Sequence, residues 1–367
     1  MNVLQVVPEL NAGGVERTTI EIAEALHIAG HVAHVASAGG WMESELMTHG
    51  TVLHKFAAGS KNPLRMAFAT SRLIDIIKKH SINIVHARSR SSAWSAWRAA
   101  RRTDCAFVTT FHGIYKANNP LKRTYNSIMT KGEIVIANSE FTKAHIIRAH
   151  RTSPDIIRVI PRGVDMAQYH PASVTGGMIA RQRQAWGVSP VQKIILLPGR
   201  LTRWKGQTVA IRALEKLPEN FTLICLGDAR GRNQFVETLR RLAREFGVDH
   251  RVKFPGHSTD MPAALMSADI VISTSIQPEA FGRVMAEAQA MGRPVIASAL
   301  GGSLETVKPG ETGMLVPPDD PDALSVAILD ISDWRDYDPV AARAHIMGRF
   351  SKKSLQAATL RVYQDLL

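Results

Sequence analysis

Cysteine is nearly missing: two residues in 367, Cys105 and Cys225, far apart and in unlike contexts. That excludes a disulfide framework and a cysteine-based zinc site, and both thiols are expected to be reduced. Aromatic residues reach only 6%. No run approaches the ~20 apolar residues a membrane-crossing helix requires. The first residues, Met1-Asn2-Val3-Leu4-Gln5-Val6-Val7, lack the basic start and small-residue cleavage site of a secretion signal. There is no short-period repeat, no low-complexity segment, no three-glycine dinucleotide fingerprint and no phosphate-loop spacing, so nicotinamide chemistry and nucleoside triphosphate hydrolysis are not indicated.

What remains is a globular composition, 45% hydrophobic and 21% charged, long enough for two domains. The formal charge of +13 is uneven. Residues 1–165 carry 21 basic and 12 acidic side chains (21 − 12 = +9), and the remainder carries 24 and 20 (24 − 20 = +4). A basic first half implies an anionic partner: nucleic acid, an anionic membrane face or a phosphorylated substrate. A basic nucleic-acid-binding α/β protein is the remote alternative, since no nucleic-acid motif or readable recognition helix accompanies the charge.

Short β-branched runs at 3–7, 32–36, 82–86, 106–110, 134–137 and 156–160 read as strands. Amphipathic segments at 15–29, 64–79, 91–102 and 139–149 read as the helices between them. The rhythm breaks at residues 161–175 and resumes with strands at 193–197, 221–226, 251–254, 270–273 and 294–297. Helices are expected at 207–217, 233–246, 263–267, 283–291 and 321–332. Such alternation means doubly wound parallel sheets covered by helices on both faces. The expected division is 1–170, 171–350, and a last helix within 351–367 packing back on the first domain. A ligand is expected in a cleft between the two domains, at the carboxyl ends of the strands.

Three segments carry chemistry. Gly13-Gly14 sits between the first strand and its helix, where it is either a tight turn or a close approach to an anion. The run from Gly199 to Gly206 follows an apolar strand and holds Arg200 and Lys205. It is either a solvated basic loop or a pair of cations converging on a diphosphate whose charge grows as it leaves. Glu279 and Glu287 flank a helix start marked by Pro278 and Gly282. Two helical carboxylates eight residues apart would lie ~12 Å apart, beyond the ~5–5.5 Å of a retaining glycosidase pair. Glu279 is therefore expected before the helix and Glu287 two turns into it, with the amides near Phe281 and Gly282 facing a sugar diphosphate. Asp336-Tyr337-Asp338 could be taken for a metal motif, but no strand leads into it and it reads as a surface turn.

In their order, Gly13-Gly14-Val15-Glu16-Arg17, Val85-His86-Ala87-Arg88, Thr110-Phe111-His112-Gly113, Ile160-Pro161-Arg162-Gly163-Val164-Asp165, the Arg200/Lys205 loop and the Glu279/Glu287 segment make the chain resemble retaining glycosyltransferase family 4. The resemblance spans nearly the whole chain and implies the GT-B fold, two Rossmann-like domains facing across a cleft. It also implies roles. Arg200 and Lys205 would bind the donor phosphates, Glu287 the ribose, and Glu279 the donor sugar, helped by amides at Phe281 and Gly282. Gly256 and His257 would contact the base, and Gly13-Gly14 would approach the diphosphate. His112 would touch the transferred sugar, although a core or surface histidine is the plain alternative. His112, Arg200, Lys205 and Glu279 are thus the catalytic candidates. Arg162 departs from the asparagine that the family often has there.

The resemblance further implies no cofactor, no metal and a front-face mechanism with retention. The donor is a nucleotide sugar, GDP-mannose favoured over a UDP-hexose. Arg88-Ser89-Arg90 looks like a segment of bacterial lipopolysaccharide-core transferases, mannosyltransferases included. A phosphorylated glycolipid or lipopolysaccharide-core acceptor is therefore expected, with the protein cytoplasmic and peripheral at the inner membrane face. The UDP-hexose alternative would act on another envelope polysaccharide or a small acceptor. Acceptor and membrane candidates are Arg88, Arg90, Trp94, Tyr115, Lys116, Lys122 and Arg123, a basic and aromatic set suited to headgroups. Trp94 and Trp97 at i,i+3 could equally be a core stripe.

Overall fold

The computed structural model describes residues 1–11, 13–115, 119–229, 231 and 233–367. The chain forms two compact units, Met1–Arg162 with Lys352–Leu367, and Gly163–Ser351. The boundary expected at 170 thus falls at Arg162, where the chain leaves the last strand of the first sheet.

The first unit has seven parallel strands: β1 (Asn2–Val6), β2 (Val32–Ser37), β3 (Val52–Lys55), β4 (Ile84–Ala87), β5 (Ala106–Phe111), β6 (Ile134–Ala137) and β7 (Ile157–Val159). Their order is β3-β2-β1-β4-β5-β6-β7. The chain runs outward from β1 to β3, then returns to β1's other side with β4. The switch point therefore lies between β1 and β4.

Successive residues of a strand face opposite sides, and both sides are covered. Leu4, Val6, Val85, Ala87, Phe107 and Phe111 join one apolar cluster. Val3, Ile84 and Val108 join the other, with Leu355, Val362 and Tyr363 of the helix Lys352–Gln364. That last helix is tied to the helix Gly14–Ile28 by Lys352 to Glu24 at 3.2 Å and by Gln356 Nε2 donating to the Glu21 carbonyl at 2.7 Å.

The second unit has six parallel strands, β8 (Lys193–Pro198), β9 (Phe221–Leu226), β10 (Val252–Gly256), β11 (Ile270–Ser273), β12 (Val295–Ser298) and β13 (Gly313–Val316), in the order β10-β9-β8-β11-β12-β13. Here the switch point lies between β8 and β11. Strands β3 and β13 were not foreseen; each is an edge strand with one β-branched residue, Val52 or Val316, where the four-residue strands that were read carry two or three. Arg251, expected to open a strand, ends the turn Asp249–Arg251 instead. Its buried guanidinium donates to the carbonyls of Leu214, Leu217 and Pro218. Each unit is a doubly wound parallel sheet, as expected from the sequence.

At the β3 edge, His34, His54 and His80 cluster with ring centroids 4.8–5.3 Å apart, His34 stacked on His54 and His80 tilted against both, and His34 Nδ1 lies 3.1 Å from His54 Nε2. Burial first, then the neighbouring imidazoles, brings His34 down to about 4; burial, His80, Lys79 and Arg72 bring His54 to about 4. The unfolded chain therefore binds more protons between about pH 6.5 and 4, so stability falls as pH drops through that window. Thermal melts across it should show a steep loss for wild type and a shallower one for His34→Gln/His54→Gln. Parallel curves would refute the assignment.

Candidate functional site

In the second unit two of the sequence candidates, Lys205 and Glu279, meet at the switch point. The loop after β8 brings Lys205, in the turn Arg203–Lys205, against Glu279 from the loop after β11. Lys205 Nζ is 2.8 Å from Glu279 Oε1, with both side chains largely buried, at 13% and 16% exposure. The Ser273 hydroxyl donates to the same carboxylate oxygen at 3.2 Å, and the Ser275 hydroxyl donates to it as well. Burial raises the Glu279 pKa, but the Lys205 charge and the bonds from Lys205, Ser275 and Ser273 outweigh it, holding the carboxyl below its usual range.

Gly206 follows Lys205 with φ 71° and starts the helix Gln207–Glu215. A Cβ there would overlap the Thr274 carbonyl, so only glycine lets the β8 and β11 loops close on each other. Arg200 lies on the same loop with its side chain exposed, and its carbonyl accepts from Gln207 Nε2 at 3.0 Å.

Glu279 precedes the helix Arg283–Ala290, whose N-cap Gly282 supplies no capping side chain. The Gly282 carbonyl accepts from the Met285 amide at 3.1 Å, one turn into the helix. Glu287 is buried within that helix, accepting from Arg283 Nε at 3.0 Å and Nη2 at 2.9 Å. Phe281 is buried edge-on against Phe350 at 5.5 Å, leaving its backbone for the site. Gly256 ends β10 and His257 is exposed beside it, on the rim of a cavity of about 270 Å³ with Ser258, Thr259 and Asp260. Ser273, Thr274, Ser275 and Gly302, whose N–H donates to the Glu279 carbonyl at 2.8 Å, were not singled out from sequence. Small polar residues carry no spacing signal of their own.

In the first unit Gly13 caps and Gly14 opens the helix after β1, and His112 follows β5. His112 Nδ1 lies 3.1 Å from Arg162 Nη2. Burial first, then Arg162 and Arg88, hold the imidazole well below its ordinary pKa, so it is neutral.

The acceptor set divides. Arg88 does not reach the surface: it is 2% exposed and both Nε and Nη2 donate to Gln5 Oε1. Gln5, His86 and Thr110 share one sheet face, so polar residues on three adjacent strands bury one another. His86 Nδ1 is 2.6 Å from the Tyr363 hydroxyl, and His86 Nε2 is 2.7 Å from the Thr110 hydroxyl. Arg90 is pinned to Asn126 Oδ1 at 2.8 Å and lies 4.0 Å over the Tyr115 ring.

Trp94 packs edge-on to Trp97 at 6.1 Å and donates to the Tyr125 carbonyl at 3.2 Å, yet it also floors an open cavity of about 400 Å³. Lys61, Met66, Arg98, Leu121, Lys122 and Tyr125 complete that cavity. Lys122 and Arg123 are exposed, and Lys116 lies outside the described residues. Leu121 is 83% exposed, and Leu64 and Phe68 of the helix Pro63–Lys79, which sequence reading did not single out, are 82% and 62% exposed. Asp338 caps the helix Pro339–Arg349 by accepting from Val340 and Ala341, as a surface turn would.

Residues 12–168 match the family model described as Glycosyltransferase Family 4, and residues 178–344 that described as Glycosyl transferases group 1. A D-inositol 3-phosphate glycosyltransferase of Xylanimonas cellulosilytica is 32% identical over 301 residues, 77% of this chain and 71% of its own. One from Corynebacterium aurimucosum is 30% identical over 276 residues, and the match spans 69% of this chain and 65% of that protein. Among solved structures, a glycosyltransferase of Rickettsia africae is 36% identical with a TM-score of 0.92, covering 100% of this chain and 98% of that one. HepE of Anabaena, solved in complex with UDP-glucose, is 26% identical with a TM-score of 0.86, and all of both chains is covered.

Proposed function

The chain belongs to the family 4 glycosyltransferases, and from that premise we propose that it moves a hexose from a nucleotide sugar to a phosphorylated acceptor with retention and without a metal. The observation that carries the reading is the Lys205–Glu279 pair at the second unit's switch point, beside an uncapped helix start. Arg200 and Lys205 take the donor diphosphate, Glu279 the sugar hydroxyls, Glu287 the ribose, and Gly256 and His257 the base. Gly13-Gly14 takes the role of approaching the diphosphate, and His112 that of touching the transferred sugar.

The acceptor hydroxyl attacks the anomeric carbon on the face from which the diphosphate departs. The C1–O bond breaks with its electron pair going to the phosphate oxygen, and that oxygen takes the acceptor proton. Cationic side chains stabilise the growing charge, which supplies most of the rate.

GDP-mannose and a phosphorylated glycolipid or lipopolysaccharide-core acceptor form the first reading, supported by the basic, apolar surface of the first unit. There Leu121 lines a cavity with Lys61, Arg98 and Lys122, and Leu64 and Phe68 are exposed on the helix that also lends Met66 to it, a surface suited to the cytoplasmic face of an anionic membrane. No helix among the described residues is long and apolar enough to cross one. A UDP-hexose and a small phosphorylated polyol form the second, favoured by HepE's UDP-glucose and by the relatives named D-inositol 3-phosphate glycosyltransferases.

One experiment separates them. Thermal-shift binding of GDP- and UDP-sugars in EDTA should stabilise wild type with one donor and leave Arg200→Ala/Lys205→Ala unshifted, with vesicle flotation run on the same protein. No shift with any donor, for folded protein, overturns the donor site. Equal flotation with neutral and anionic vesicles removes the membrane.

A further inference from the structure

Arg162, the residue that departs from the family pattern, is placed against two positions that keep it. Its Nη2 lies 3.1 Å from His112 Nδ1, after β5. Its guanidinium also lies over Gly14, after β1, so closely that a Cβ on Gly14 would overlap Nη1. Gly14 thus leaves the room that Arg162 fills.

The hydrogen bond has one possible sense. A guanidinium has donors only, so His112 Nδ1 must accept, and the proton of the neutral ring sits on Nε2. His112 Nε2 is buried and has no hydrogen-bond partner among the described residues. We infer that Arg162 is the positioning residue of the first unit's site: it fixes His112 as a neutral imidazole presenting Nε2–H as a hydrogen-bond donor to the reacting sugar. This rests on the assignment of His112 to that sugar made above.

Protonating Nδ1 would break the bond and set two cations 3.1 Å apart. The groups that face His112 add to this: Arg88 and His86 from β4 and its end, and the Tyr115 hydroxyl, bonded to the His112 main chain. None is acidic, so nothing in that set favours an imidazolium. A ring with its proton on Nε2 cannot take a proton there. His112 is therefore a donor rather than a base, in keeping with a reaction whose acceptor proton leaves on phosphate.

The test reads the ring nitrogens of 15N-histidine-labelled full-length protein without substrate, between pH 5 and 8. Wild type should show His112 neutral with the proton on Nε2 throughout. Arg162→Met should mix the tautomers and let the ring protonate at higher pH, while Arg162→Lys, which keeps a cationic donor, should restore much of the preference. In turnover, Arg162→Met should lower kcat about 10–100-fold with the donor KM within about twofold, and move the acid limb of the pH profile upward. A wild-type ring protonated on Nδ1, or an Arg162→Met ring and acid limb unchanged, overturns the inference. If Arg162→Met does not fold, the wild-type and Arg162→Lys spectra still decide. The spectra need no transfer activity, so a wild type that transfers nothing would overturn the proposed function and leave the tautomer assignment standing.

Discussion

Lys205→Met is expected to lower kcat by about 10²–10³-fold, the usual cost of losing one group that stabilises charge in the transition state. It should also destabilise the second unit by about 3 kcal/mol, because Glu279 would remain largely buried and charged with its cation gone. The Ser273 and Ser275 hydroxyls still bond the carboxylate but do not neutralise it.

The double variant Lys205→Met/Glu279→Gln separates the two effects. Removing both charges should return most of the stability and none of the activity. Denaturant unfolding and initial rates at saturating donor measure the pair. Activity within about threefold of wild type in Lys205→Met would sink the leaving-group role. Acid should act in the same direction as the single variant. The Glu279 pKa is depressed in the folded state, so its contribution is complete above the unfolded value and is lost as pH falls through the folded one.

Arg88→Ala is the second large effect, and its readout is stability. The side chain is buried, with Gln5 Oε1 taking two of its donors and Glu21 lending a favourable charge. Truncation leaves a cavity, an unsatisfied amide oxygen and a less compensated carboxylate. A loss of about 3–5 kcal/mol follows, or roughly 6–20 °C in the midpoint of a unit this size. Acceptor KM should be unchanged in whatever protein remains folded. Lys122→Ala, at an exposed position, should show the reverse: an unchanged midpoint and weaker acceptor or vesicle binding. An Arg88→Ala protein that melts like wild type and binds acceptor poorly would return Arg88 to the surface role suggested by its sequence context.

That contrast marks where sequence reading succeeded and where it could not. Arg88 and Lys122 are both basic residues in basic, aromatic stretches, and nothing local distinguishes them. Whether each is buried depends on strand phase. Arg88 leaves β4 on the side where Gln5 of the neighbouring β1 meets it, 83 residues away. Lys122 lies on the short helix Pro120–Asn126, which leaves it exposed.

The Glu279/Glu287 segment was legible because its signals are local. Pro278 and Gly282 punctuate the chain, a strand precedes and a helix follows. Edge strands β3 and β13 were not, since Val52 and Val316 are their only β-branched residues. The exposed Leu64 and Phe68 were missed because they sit within an amphipathic pattern that assigns apolar residues to the core.

By itself the sequence determined two α/β units, the identity of the strands that feed the functional loops, and the glycines that let those loops turn. These follow from hydrophobic period and backbone freedom, which act within a few residues. Tertiary structure alone decided the pairings: Lys205 with Glu279, 74 residues apart, His112 with Arg162, 50 apart, and His86 with Tyr363, 277 apart. Those depend on which strands become neighbours and which face each side chain takes. The winding order of a parallel sheet is set by how helices cover both of its faces, a property of the whole unit that no local segment encodes.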